Sequence, residues 1–70
     1  MGLIGQKVLF HISKGNRVRG RVVDKVMMQA LTPDGENELR RESVSGYIIE
    51  VENSSQLAKV PYFAIIRRVE

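Results

Sequence analysis

Apolar residues recur at every second position in two short runs of this chain, Val8, Phe10 and Ile12 in one, Tyr47, Ile49 and Val51 in the other. A period of two is the signature of a strand with one buried and one wet face. In a chain of 70 residues such strands have little to pack against, because a domain of this size buries only about 60% of the surface its unfolded form exposes. Small scaffolds usually compensate with disulfides, a metal or self-association. There is no cysteine and only one histidine, His11, which cannot build a zinc site with scattered carboxylates. Self-association is the compensation left open.

The chain divides at its turn residues. Lys7 to Ile12 reads as a first strand with Lys7, Leu9 and His11 on its wet side, and "SKGN" as a tight turn. Arg17 to Met28 is a long second strand. Strict alternation turns Val18, Gly20, Val22, Val26 and Met28 inward and Arg17, Arg19, Arg21, Val23, Lys25 and Met27 outward. The same count buries Asp24, which is costly for an unpaired carboxylate, so a bulge or sharp bend is expected near Val23 and Asp24. Gly20 points to a close approach by a neighbouring strand or to strong coiling.

"TPDG", residues 32 to 35, is a hairpin tip: Pro33 presets the first central position, and Gly35 accepts a left-handed exit. "ENELRRES", residues 36 to 43, reads as a frayed returning strand or a mobile loop, with a single helical turn as the alternative, and Gly46 as its end. "YIIEVE", residues 47 to 52, is the clearest strand. "NSSQ" turns the chain into the short strand "LAKV", Pro61 interrupts that ladder, "PYFAI" makes one 3₁₀ turn, and "IRRVE" closes the sheet. The expected fold class is therefore all-β: a single domain, residues 1–70, forming an SH3-like five-stranded small barrel with one 3₁₀ turn before the last strand. Closure of the barrel removes exposed edges.

Two families resemble parts of this pattern. "GQKVLFHISKGNRVRGRVVDKV", residues 5 to 26, is similar to the KOW-type and Tudor-like SH3 barrels, the former found in ribosomal and transcription-elongation proteins: glycine opens the first strand, Val and Phe alternate, and a basic turn precedes Gly20-Arg21-Val22-Val23. Gly20 to Val23, the Leu31 to Gly35 turn and the run from Tyr47 to Glu70 resemble the plasmid-borne type II dihydrofolate reductases, barrels that assemble as tetramers around a central pore. That resemblance implies a barrel and self-assembly. The family's catalytic stretch reads Val-Gln-Ile-Tyr, and this chain has Ala58, Lys59, Val60 and Pro61 there, so the reductase roles do not carry over.

Lys plus Arg exceed Asp plus Glu by 11 to 8, a net charge of +3, a mild lean towards anionic partners. Arg17, Arg19, Arg21 and Lys25 form a stripe of cations about 6.5 to 7 Å apart for each pair of residues, close to the separation of successive phosphates. The bland alternative is the solvated side of a strand, its arginines paired across the sheet with Glu50 and Glu52. Lys59, Arg67 and Arg68 make a second basic group on the last two strands. Tyr62 between them is either a stacking platform or a plug for the barrel end, and Phe63 is expected in the core. His11 reads as an exposed strand residue.

No phosphate-cradling glycine loop, no nucleophile with its base and no metal spacing is present. The expectation is a non-catalytic binding module, without cofactor or metal, that contacts nucleic-acid phosphate with low specificity through Arg17, Arg19, Arg21, Lys25, Lys59, Tyr62, Arg67 and Arg68. The alternative is a protein-interaction or self-assembling barrel joined through Leu9, Val23, Met27 and Ile48. A cytoplasmic, soluble protein fits the absence of cysteine, of a signal-peptide pattern and of an apolar run near the roughly 18 residues that span a bilayer.

Overall fold

The computed structural model of the chain describes residues 2–13, 15–33, 35 and 38–69. The protein is all-β, with strands β1 (Lys7–Ser13), β2 (Asn16–Pro33), β3 (Leu39–Val51), β4 (Leu57–Pro61) and β5 (Ile65–Arg68). A 3₁₀ turn, Tyr62–Ala64, precedes the last strand, where the sequence pattern places it. All pairings are antiparallel and the sheet runs in the order β4-β3-β2-β1-β5.

The sheet is not closed, where full or near closure into a barrel is expected, since β4 and β5 stand at its opposite edges. It is nevertheless strongly curled. Pro61 and Ile65 lie on opposite edges yet only four residues apart, a stretch that reaches at most about 14 Å, whereas four flat inter-strand spacings come to about 19 Å. The edges therefore converge at the 3₁₀ turn, which touches both β3 and β1.

Curling encloses one small core. Val8 and Phe10 of β1, Val22 of β2, Ile49 of β3 and Val60 of β4 are buried, with Leu3, Val18, Tyr47, Val51, Ala58, Ala64 and Ile65 packed around them. Ile12, which shares their alternation, falls beyond the core and is exposed. Phe63 is also not in the core: it is 51% exposed, and its neighbours Ala64 and Ile65 supply the contact instead. The three-residue turn has room to direct only its last small residue inward.

The strand pairing of β2 with β3 contains the expected irregularity: Val22 opposes Ile49, Asp24 opposes Ile48, and Val23 is the extra residue of a bulge. Asp24 stays exposed as a result. The same bulge changes which face of β3 the later residues of β2 share. Val26 and Met28 oppose Gly46 and Val44, on the face of Ile48; they are half-buried while Lys25 and Met27 are exposed, the alternation that strict counting gives, but they lie outside the core cluster.

Beyond the bulge both strands run on as a hairpin. β2 continues to Pro33, past the expected end at Met28, and the segment from Leu39 to Ser43 is fully paired strand, neither loop nor helical turn. Residues 36 and 37 of that charged run, like Asp34 at the tip, lie outside the described residues. Gly35 has the left-handed φ of 95° that its turn requires.

Gly46 does not end a segment; it is buried in the middle of β3, where an added Cβ would meet Met28 and the Val60 carbonyl oxygen. Gly20 is held just as tightly. A Cβ there would lie 2.5 Å from Ile49 Cγ2 and 2.6 Å from the Glu50 carbonyl oxygen. Since the second contact is backbone, Gly20→Ala is expected to destabilise the fold by about 1 to 3 kcal/mol. Urea denaturation checks this, with Gly2→Ala, where a Cβ meets nothing within 4 Å, as the neutral control.

Candidate functional site

The arginine stripe is set by the β1–β2 register. Lys7 opposes Arg21, Leu9 opposes Arg19 and His11 opposes Arg17, and because Val8 and Phe10 between them are buried, these pairs share the outer face. Glu50 of β3 opposes Arg21 on the same face, as the bland reading of the stripe anticipates. Arg21 Nη1 donates a 2.8 Å hydrogen bond to the Gly5 carbonyl oxygen, and Lys7 Nζ lies 3.9 Å from Glu52 Oε1. Both cations are thus engaged locally, although the Lys7–Glu52 pair is exposed enough to contribute no more than about 1 kcal/mol.

Arg17 and Arg19 are different. Both are exposed, and among the described residues neither side chain has an ion-pair or hydrogen-bond partner. Arg67 of β5 joins them, since it opposes Leu9 from the other side of β1. Leu9 is therefore half-buried between two arginines, at about 9.5 Å across two strand spacings, while Arg17 and Arg19 are about 7 Å apart along β2. His11, flanking Arg17, is half-buried with an unpartnered Nδ1, more enclosed than the exposed position its sequence suggests.

Other expected members fall away from this cluster. Lys25 opposes Tyr47 on the Ile49 face, because the bulge at Val23 shifts its parity; it does not continue the stripe. Arg68 opposes inward-facing Val8 and lines a cleft with Gly2, Ile4 and Gln6; as the next residue along β5 it takes the face opposite to that of Arg67. Lys59 opposes Ile48 on β4, at the far edge of the sheet. The basic group expected from Lys59, Arg67 and Arg68 is thus split three ways, and only Arg67 reaches the arginines of β2.

Tyr62 is 55% exposed and stands edge-on to Phe63, ring centroids 5.3 Å apart at 81°. The pair lines an open cleft of about 470 Å³ with Leu31, Thr32, Pro33, Arg40 and Glu42 of the β2–β3 hairpin. None of Arg17, Arg19 or Arg67 borders it. The apolar positions expected to join subunits are similarly dispersed: Leu9 sits between Arg19 and Arg67, Ile48 between Asp24 and Lys59, and Met27 opposes Ser45 on the other face.

Arg67 is among the expected contacts; what alternation does not give is its partner on β1, which depends on the one-residue bulge at Ile66. No protein-family model, curated protein or solved structure matches this chain. The arginines fall into two kinds that stability separates. Arg21→Ala is expected to cost about 0.5 to 1.5 kcal/mol and to speed amide exchange at Gly5, which bonds the Val22 carbonyl oxygen; Arg19→Ala should stay within about 0.5 kcal/mol of the parent. Urea denaturation with hydrogen exchange measures both.

Proposed function

We propose that this protein is a non-catalytic binding module whose outer β5-β1-β2 face contacts nucleic-acid phosphate. One observation carries the reading: Arg17, Arg19 and Arg67 share a face, exposed and without carboxylate partners among the described residues. Guanidinium forks suit phosphate oxygens, and the spacings of about 7 and 9.5 Å let neighbouring phosphates be met singly. The KOW-like opening of the sequence points the same way.

Low specificity follows from the composition of this face. Among the described residues no Phe, Tyr or Trp side chain borders the three arginines in the register, so the usual stacking platform for bases is missing there. Binding then rests on charge and is strongly salt-dependent. The positions that carry the reductase chemistry in the type II dihydrofolate reductases fall here on β4, with Val60 buried in the core and Lys59 facing solvent, which supports a module without that activity.

Fluorescence anisotropy against a short duplex is expected to give a log-log salt slope near −2 to −3, about 0.9 for each of three neutralised phosphates. Arg17→Ala, Arg19→Ala and Arg67→Ala should each reduce that slope by about 1, whereas Lys25→Ala and Arg68→Ala should leave it nearly unchanged. An absence of binding at low salt, or equal losses for all five variants, would overturn the reading.

A further inference from the structure

Among the described residues, four outer stretches of strand, on β4, β5, β3 and β2, are unpaired on one side, and three of them are guarded. β4 carries Lys59 and ends on Pro61, β5 is four residues long with Arg67 and Arg68, and the free part of β3 carries Arg40, Arg41 and Glu42. Charges, proline and shortness are what keep an edge from pairing with another chain. The fourth stretch has none of these. β1 pairs with β2 only from Asn16 to Arg21, so beyond the bulge the outer edge of β2 is open, and from Val26 to Leu31 it reads Val-Met-Met-Gln-Ala-Leu, without charge, proline or irregularity.

This edge belongs to a two-stranded ribbon, since β4 reaches β3 only from Gly46 to Glu50. Two strands alone are marginal in water. Met27 and Leu31 on the ribbon are 66% and 57% exposed. We propose that a second copy of this chain covers the edge, its own β2 pairing antiparallel across a twofold axis at Gln29 to continue the sheet through both protomers. The proposal is independent of the phosphate-binding reading.

A second copy is favoured because the segment is complementary to itself in one register. A twofold axis normal to the sheet keeps each face on its own side, so every residue opposes one of its own parity. With the axis at Gln29, Met27 opposes the partner's Leu31 and Leu31 the partner's Met27, covering both exposed side chains twice over. On the other face Met28 opposes the partner's Ala30, large against small. Lys25 falls opposite the partner's Pro33, at the end of the ladder, where a missing amide proton disturbs least.

The register is testable because the chain has no cysteine. Directly opposed residues in an antiparallel ladder have Cα atoms about 4.5 to 5.5 Å apart, within disulfide reach. Gln29→Cys is therefore expected to oxidise to a covalent dimer. Met27→Cys should not crosslink to itself, being about 13 Å from its counterpart, but should crosslink when mixed with Leu31→Cys.

Sedimentation of the unmodified chain should show a concentration-dependent dimer, weakened at least tenfold by Gln29→Lys and unaffected by Leu57→Lys on the edge of β4. Met27→Lys and Leu31→Glu should each weaken it and recover together on mixing. A wild-type monomer up to millimolar concentration overturns the proposal, and so does a dimer in which Met27→Cys self-crosslinks as readily as Gln29→Cys. Circular dichroism of each variant separates a lost interface from a lost fold, and the wild-type sedimentation result stands whichever variants fold.

Discussion

Val23 is the extra residue that allows one strand to serve two surfaces. Up to Val22, β2 directs its valines and Gly20 at the core and its arginines at solvent; from Asp24 onward the parity is reversed. Without the extra residue, Asp24 would oppose Tyr47 on the core face of β3, with no cation in the core to receive it, and the cost of an unpaired buried carboxylate exceeds that of a locally broken ladder. The bulge also increases twist and bends the strand, helping the sheet curl until Pro61 and Ile65 on its opposite edges are joined by three residues. Core, basic face and hairpin all take their orientation from this position.

Gly20 and Gly46 show how the curl is accommodated. Each lies where a neighbouring strand passes too closely for a Cβ, Gly20 under Ile49 and Glu50, Gly46 under Met28 and Val60. They flank the bulge from both strands: Gly20 precedes it on β2, and Gly46 opposes Val26 just past it. Side-chain bulk at either site would push β3 away from its neighbour and open the core where it is thinnest. A core of five buried hydrophobic residues has little with which to offset such a shift.

Much of this could be read from alternation and turn chemistry. Val8 with Phe10 and Tyr47 with Ile49 announced their strands, Pro33 and Gly35 announced the hairpin tip, and Pro61 placed the 3₁₀ turn. The need to keep Asp24 out of the core even located the bulge. Its consequence was harder to see: once a parity change is admitted at Val23, Lys25, Val26 and Met28 all change sides, and the stripe stops at Arg21. Long-range pairing was least legible. Nothing local states that Arg67 will oppose Leu9 while Arg68 turns away, because that depends on where Ile66 is skipped in a ladder between the first and last strands. The charged run from Leu39 to Ser43 is legible as a returning strand or a loop, and pairing with Gln29 to Pro33 decides for the strand, a tertiary effect that outweighs a composition typical of loops.

The two halves of β2 have opposite chemistry, and the contrast bears on how so small a chain keeps its surfaces distinct. Before the bulge, every second residue is an arginine, and β1 already occupies the outer edge of the strand from Asn16 to Arg21. After it, six consecutive uncharged residues leave the backbone free to accept a second copy. Strand pairing therefore leaves a free backbone edge at one end of β2 only, while the exposed side chains of Arg17 and Arg19 lie at the other. A dimer built through Gln29 would leave Arg17 and Arg19 at the far ends of a continuous ribbon, two basic faces per assembly. The proposed seam and the basic face thus use different residues of β2 and do not compete.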